Sequence, residues 1–123
     1  MTRARITVLK CEHYQDLLDE HFPPESGERK RPPCGVFEEG QVFDLHEWRF
    51  KPKGFCDWAW SDIYRDVVSV AFGVGHPWAS PKPMAISCCT DGARPVFFKI
   101  EPIEEVEDDE SQIEPIKGKE EEE

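Results

Sequence analysis

The stretch "DWAWSDIYRDVVSVAF", Asp57 to Phe72, has a periodicity that leaves little choice of conformation, and the rest of the chain must fold around it. Trp60, Ile63, Tyr64, Val67, Val68, Ala71 and Phe72 recur at helical spacing, while Asp62, Arg65, Asp66 and Ser69 occupy the other side. Asp57 is placed to cap the N-terminus, and Gly73 stands where a left-handed C-terminal cap is expected. Such a helix has one apolar stripe to bury. The remaining residues must supply a facing surface.

That surface reads as a small sheet. Arg3 to Lys10 alternates, with Ile6 and Val8 on one face. "CGVFEEGQVFDLHEW" reads as short strands around a Glu-Glu-Gly turn, with Val42, Phe43 and Leu45 as candidate core residues. Asp91-Gly92 signals a hairpin between two apolar runs. A three-residue loop would set Met84, Ile86 and Cys88 on the face of Val96, Phe98 and Ile100, whereas a two-residue loop would scatter the apolar set. Register follows burial, so the odd loop is expected. Cys88 then points to the core, and Cys89 points away with Ser87, Phe97 and Lys99. "CEHYQDLLDEHF" spaces Tyr14, Leu17, Leu18 and His21 as a short helix. "PPESGERKRPP", "KPKG" and "GVGHPWASPKP" are too broken by Pro and Gly to be anything but loops. The expected class is α+β: a small, mainly antiparallel sheet packed against one main helix, in a single domain over residues 1–103.

Charge sets the tail apart from this body. Residues 101–123 hold 12 of the 26 acidic residues and two of the 15 basic ones, which leaves 14 acids against 13 bases in the first hundred. The net charge of −11 is therefore mostly a tail property. Residues 104–123, without aromatics and rich in like charge, cannot bury enough apolar surface to fold alone and are expected to be disordered. The near-neutral body gives no electrostatic case for nucleic-acid binding, which wants a basic face. No run of roughly 18 apolar residues is present for a membrane span. The N-terminus lacks an apolar stretch of signal-peptide length, so a cytoplasmic location is expected.

Five cysteines, an odd number, cannot all pair internally, and a reducing compartment argues against a disulfide framework. None stands in a C-x-x-C pair, so the strongest zinc signature is missing. Cys88 and Cys89 on opposite strand faces cannot both ligate one ion without a bulge, and a disulfide between neighbours would be strained. Cys56 lies just before the main helix, where exposed N–H groups and the positive end of the dipole favour a thiolate, although Asp57 opposes it. Cys34 sits in a Pro-Pro-Cys-Gly loop able to swing in, and Arg94 lies near Cys88 across the hairpin. Trp58 and Trp60, two residues apart, cannot share a helix face, so Trp60 is assigned to the core and Trp58 to a rim or pocket. His76-Pro77-Trp78 could belong to a ligand mouth. "GVG" follows a helix instead of opening one, so it is no phosphate loop.

Four blocks, "CGVFEEGQVF", "GFCDWAWSDIYRDV", "HPWA" and "AISCCTDGARPVFFKIE", resemble the conserved segments of a small prokaryotic protein family of about domain length with no assigned activity. The resemblance covers about residues 4–103 and excludes the tail. It implies roles for Cys34, Cys56, Cys88 and Cys89, with Trp58, Trp60, Asp91, Gly92 and Arg94, and leaves Cys11 outside its motifs.

The leading expectation is a cysteine-dependent protein holding zinc or an iron–sulfur cluster, serving as a redox accessory to a larger enzyme or another protein partner. In that reading Cys34, Cys56 and Cys88 are ligands, Cys89 supplies a fourth through a bulge, and Arg94 balances the thiolate charge. The alternative is an enzyme or ligand-binding protein that uses Cys56 as the nucleophile in a pocket lined by Trp58. A third reading is an interaction module whose cysteines only pack.

Overall fold

The computed structural model describes residues 2–105; the expected acidic tail lies outside them except at its first two residues. Strand β1 (Thr2–Cys11) is followed by helix α1 (Gln15–His21), a 3-10 turn (Gly27–Lys30), strand β2 (Val42–Asp44), helix α2 (Asp57–Ala71), strand β3 (Ala85–Cys88) and strand β4 (Val96–Glu105). The strands form one antiparallel sheet in the order β2-β1-β4-β3. Helix α2 lies across β1, β4 and β3, so the fold is α+β as the sequence implies.

The core forms where the helix stripe meets one sheet face. Ala59, Ile63, Val67 and Val70 pack against Ala4, Ile6 and Val8 of β1, Val96, Phe98 and Ile100 of β4, and Ala85 of β3. Each of these is nearly or fully buried. Phe37 and Phe55 come in from the loops, and their rings meet Phe98 at 5.2 and 5.5 Å between centroids. Phe37 meets Phe98 edge to face and Phe55 meets it tilted, and such ring pairs add to the area term. Ile63, Val67 and Ala71 of the expected stripe are fully buried, but Ala59 and Val70 join them and Phe72 is exposed.

The caps of α2 divide between expectation and correction. Cys56, not Asp57, is the N-cap, because its extended backbone lets the sulfur accept the Ala59 N–H at 3.5 Å. At the other end Gly73 takes φ +87°, and the N–H groups of Gly73 and Val74 return to the carbonyls of Val70 and Ser69. This is a Schellman closure. "CGVF" forms no strand: β2 is short, Val42 is exposed, and Leu45 takes the core place. Of α1, only Leu18 is buried. Among the described residues no helix is long and apolar enough to cross a membrane.

Two departures from simple alternation decide where the cysteines go. The hairpin register pairs Ile86 with Lys99 and Cys88 with Phe97, and its ladder ends where Cys89 N–H reaches the Val96 carbonyl. The loop is thus Thr90–Pro95, even in length, so the expected parity is reversed. Cys88 is exposed on the outer face, and Cys89 packs against the core. Counting large side chains misled here, because small Ala85 is what fits beneath α2, while Ile86 lies outside. In β1 the register shifts between Val8 and Lys10, which leaves Leu9 as an extra residue. The bulge places Cys11 opposite Val96, on the inward side it would otherwise miss.

Candidate functional site

These turns of register gather the thiols at one end of the sheet. A cleft of about 420 Å³ opens between the start of α2, the hairpin loop and the segment around Cys34. Cys34, Cys56 and Cys89 all line it. Phe37, Ala59 and Val96 give it an apolar floor, Phe22, Val36 and Trp58 an apolar wall, and Arg31, Arg94, Thr90 and Asp91 its polar edge. Its size is within the range of small-molecule sites, roughly 300–1,000 Å³.

Each wall is held by named contacts. Thr90 is the clasp: its N–H and hydroxyl both reach Asp62 Oδ2 on α2, at 2.8 and 3.0 Å. The Trp58 indole N–H in turn donates to Thr90 Oγ1 at 2.6 Å. The ring is pinned at its polar end and remains 62 % exposed. Inside the hairpin loop, Asp91 Oδ1 accepts the backbone N–H groups of Ala93 and Arg94. An aspartate hydrogen-bonding the backbone two residues on sets such a turn. Arg94 ties this loop to the Cys34 segment, since Nη1 donates to the Pro32 carbonyl at 2.9 Å. His13 Nε2 lies 2.9 Å from the Arg31 carbonyl and anchors the same segment from α1's side.

The thiols differ in their surroundings. Cys56 sits at the positive end of α2 with the Ala59 N–H on its sulfur. Beside it, the Lys51 ammonium donates to the Phe55 carbonyl and pairs with the Asp57 carboxylate. Cys89 Sγ accepts the Val96 N–H at 3.4 Å. Cys11 lies behind the floor, with its thiol toward the Phe37 carbonyl at 3.6 Å. Burial pushes the Cys11 thiol above its ordinary value, and Glu39, Cys34 and Cys89 push it further. Desolvation likewise raises Cys88, with Cys89 and Asp62 adding to it.

The expected ligand set is therefore only partly assembled. Cys34, Cys56 and Cys89 share the cleft with Trp58 and Arg94, while Cys88 faces out on the other side of the sheet. All five thiols are free. Among the described residues no group of three or more His, Cys, Asp or Glu is arranged to hold a metal ion. Were a soft ion bound, the cleft's three cysteines are the side chains that would meet it. His76 belongs elsewhere: it stacks on Trp78 at 4.8 Å and lies 3.3 Å from Asp66. The sequence reading missed Thr90, Asp62 and the aromatic floor of Phe37; Cys11, which it set aside as a ligand, does not line the cleft. The polar clasp had a signal in Thr90 beside the Asp91-Gly92 turn. The inward turn of Cys11 had none, because a bulge leaves no mark in "VLKC".

Three of the four quoted blocks converge on this cleft. "CGVF" supplies Cys34, Val36 and Phe37; "CDWA" supplies Cys56, Trp58 and Ala59; "CTDGARPV" supplies Cys89, Thr90, Asp91, Gly92, Arg94 and Val96. Compared with protein-family models, curated proteins and solved structures, the chain matches none.

Proposed function

We propose that the protein binds a small organic ligand in the thiol-lined cleft and reacts with it through Cys56. One observation carries this reading: three of the five cysteines, with a pinned tryptophan, line a single cleft with an apolar floor. Each of the three packs against the core and is still only partly buried, so its sulfur lies at the opening, where a purely structural cysteine, a small buried hydrophobe, has no need to be. A thiolate is the attacking species in thiol chemistry, and Cys56 is the cleft thiol set at the start of α2, with the Ala59 N–H directed at its sulfur.

The zinc or iron–sulfur reading keeps Cys34, Cys56 and Cys89 but loses Cys88, and it would need the cleft to close around an ion. Its support is the shared cleft alone. We further propose that the chain belongs to the block-sharing family and works in the cytoplasm with a protein partner, on the strength of the quoted blocks and the near-neutral body.

The deciding experiment is timed alkylation of the folded, anaerobically purified chain with iodoacetamide, mapped by mass spectrometry, alongside metal analysis of the same sample. Rapid stoichiometric modification of Cys56 ahead of Cys34 and Cys89 is expected. Modification of every cleft thiol only in denaturant would sink the reading. One equivalent of bound zinc or iron protecting all three would replace it with the metal centre.

A further inference from the structure

The cleft's thiols bear on what it can do; its cations bear on what it takes. Arg94 lines the cleft with a side chain only 11 % exposed. Its guanidinium is held by the Pro32 carbonyl at 2.9 Å and by Asp91 Oδ2 at 3.4 Å. Among the described residues these are its two polar contacts, and a guanidinium carries five N–H groups in a planar fork. Asp91 is itself largely spoken for, since its other oxygen accepts two backbone N–H groups. The Asp91 carboxylate offsets part of the Arg94 charge but leaves three of the guanidinium's five N–H groups without a partner among the described residues. A desolvated fork at the end of an apolar cleft suits a carboxylate, which it can meet with paired hydrogen bonds.

The opposite wall has its own preference. Trp58 is fixed by the Thr90 hydroxyl, and its ring turns a broad apolar surface toward the opening. A fixed indole face is a stacking surface for a flat ring. The floor between the two, Phe37 and Val96, offers no further charge.

We propose that the ligand is a small carboxylate with a flat aromatic or otherwise apolar body. The acid group lies on Arg94, the body rests against Trp58, and the reactive centre comes within reach of the cleft thiols. This rests on the reading of the cleft as a thiol-bearing ligand site and narrows its ligand class.

The probes are two aromatic disulfides, dithiobis(nitrobenzoate), which carries carboxylates, and dithiodipyridine, which is uncharged. With either one, a cleft thiol loses its proton to solvent and its sulfur bonds one sulfur of the reagent. The reagent's S–S bond breaks, and the other half leaves as a thiolate. Rates are measured on the full folded chain carrying C88S, so that the thiol on the outer sheet face is silent, and each is divided by the rate with a free small thiol. The carboxylate reagent is expected to be favoured by about tenfold, the worth of one charge-assisted hydrogen-bonded contact. The chain's net charge of −11 works against that preference, so its appearance would be local in origin. The preference should fall to about one in R94M and survive in part in R94K.

Because Arg94 also ties two loops together, a second measurement uses the C88S chain with Arg94 intact. Benzoate should slow its reaction with dithiodipyridine, and benzamide at the same concentration should not. If the thiols react rapidly with both disulfides without preference, and benzoate gives no protection, the carboxylate inference fails while the thiol site stands. If neither reagent reacts faster than the free thiol predicts for exposed cysteines, and denaturant is needed, the thiol site and the inference fail together.

Discussion

The two ends of α2 are closed by different means. At its C-terminus the closure is made of backbone. Gly73 and Gly75 take φ of +87° and +65°, the Gly73 N–H returns to the Val70 carbonyl at 3.0 Å, and His76 N–H meets the Met84 carbonyl at 2.9 Å. At its N-terminus the closure is made of side chains: Cys56 caps the helix, Asp62 holds Thr90, and Thr90 holds Trp58. A backbone seal leaves no room to vary. A side-chain clasp can loosen without unfolding the chain, and this is the end where the cleft opens. The proposed ligand site lies at the clasped end and the rigid closure at the other, a division commonly made between loops and the scaffold that positions them.

The largest test of that contrast is Gly75→Val. A Cβ at residue 75 would lie 2.4 Å from the Met84 nitrogen and 2.8 Å from its carbonyl oxygen, at a φ that β-branched residues avoid. Strain and overlap together should cost about 5 kcal/mol, close to the whole stability of a small domain, read from urea denaturation. Gly92→Ala at the clasped end meets nothing within 4 Å and should stay within about 0.5 kcal/mol of the parent. Comparable losses at both sites would end the distinction.

How far the sequence foretells each end follows from the same difference. The sealed end was legible because Gly73 marks a left-handed cap and the helical spacing runs out beside it. The clasped end was legible in part: Trp58 and Trp60 part company as their two-residue spacing requires, with Trp60 on the core beside Phe55 and Trp58 at the cleft. Cys88 and Cys89 do take opposite faces, yet in the reverse sense. Alternation is a local rule, but which alternate faces inward depends on what α2 leaves room for, and Ala85 is the residue that fits. The bulge at Leu9 that turns Cys11 inward is likewise a property of the pairing, not of the strand's own residues.

A smaller effect is expected from Thr90→Val, which removes the hydroxyl from both the Trp58 and Asp62 contacts while keeping the side chain's shape. The loss should be about 1 kcal/mol, since Trp58 and Thr90 are exposed enough for water to replace the partners. The chain should remain folded, with its tryptophan emission shifted and Cys56 more quickly alkylated. A loss of several kcal/mol would mean that the clasp seals the fold as firmly as the glycines do.

Cys56→Ser and Cys56→Ala separate the cap from the chemistry. Serine is a preferred N-cap and should match or raise the parent's stability, while alanine should lower it by about 0.5–1 kcal/mol. Both should abolish the fast alkylation. Persistence of a fast thiol in C56S would move the nucleophile to Cys34 or Cys89, still at the clasped end.

The smallest expected effect is on alkaline stability, and it too belongs to the cleft end of the sheet. Cys11 is raised above its ordinary value of 9.0, by burial first and then by Glu39, Cys34 and Cys89. Below about pH 9 the thiol is protonated in the folded and unfolded chain alike, and its contribution is constant. Above that pH the unfolded chain releases the proton first, so the folded state binds more protons and stability falls as pH climbs through the folded value. Cys11→Val keeps the packing against the core without the ionisation, so its loss of stability between pH 8 and 10 should be shallower than the parent's by a few tenths of a kcal/mol. Denaturation midpoints of the two chains across that range measure the difference directly. Because lysines and tyrosines titrate in both chains, only the gap between the curves reports on Cys11. A gap of the opposite sign would mean that the fold favours the thiolate at Cys11, and that the cationic character of the cleft reaches through its floor.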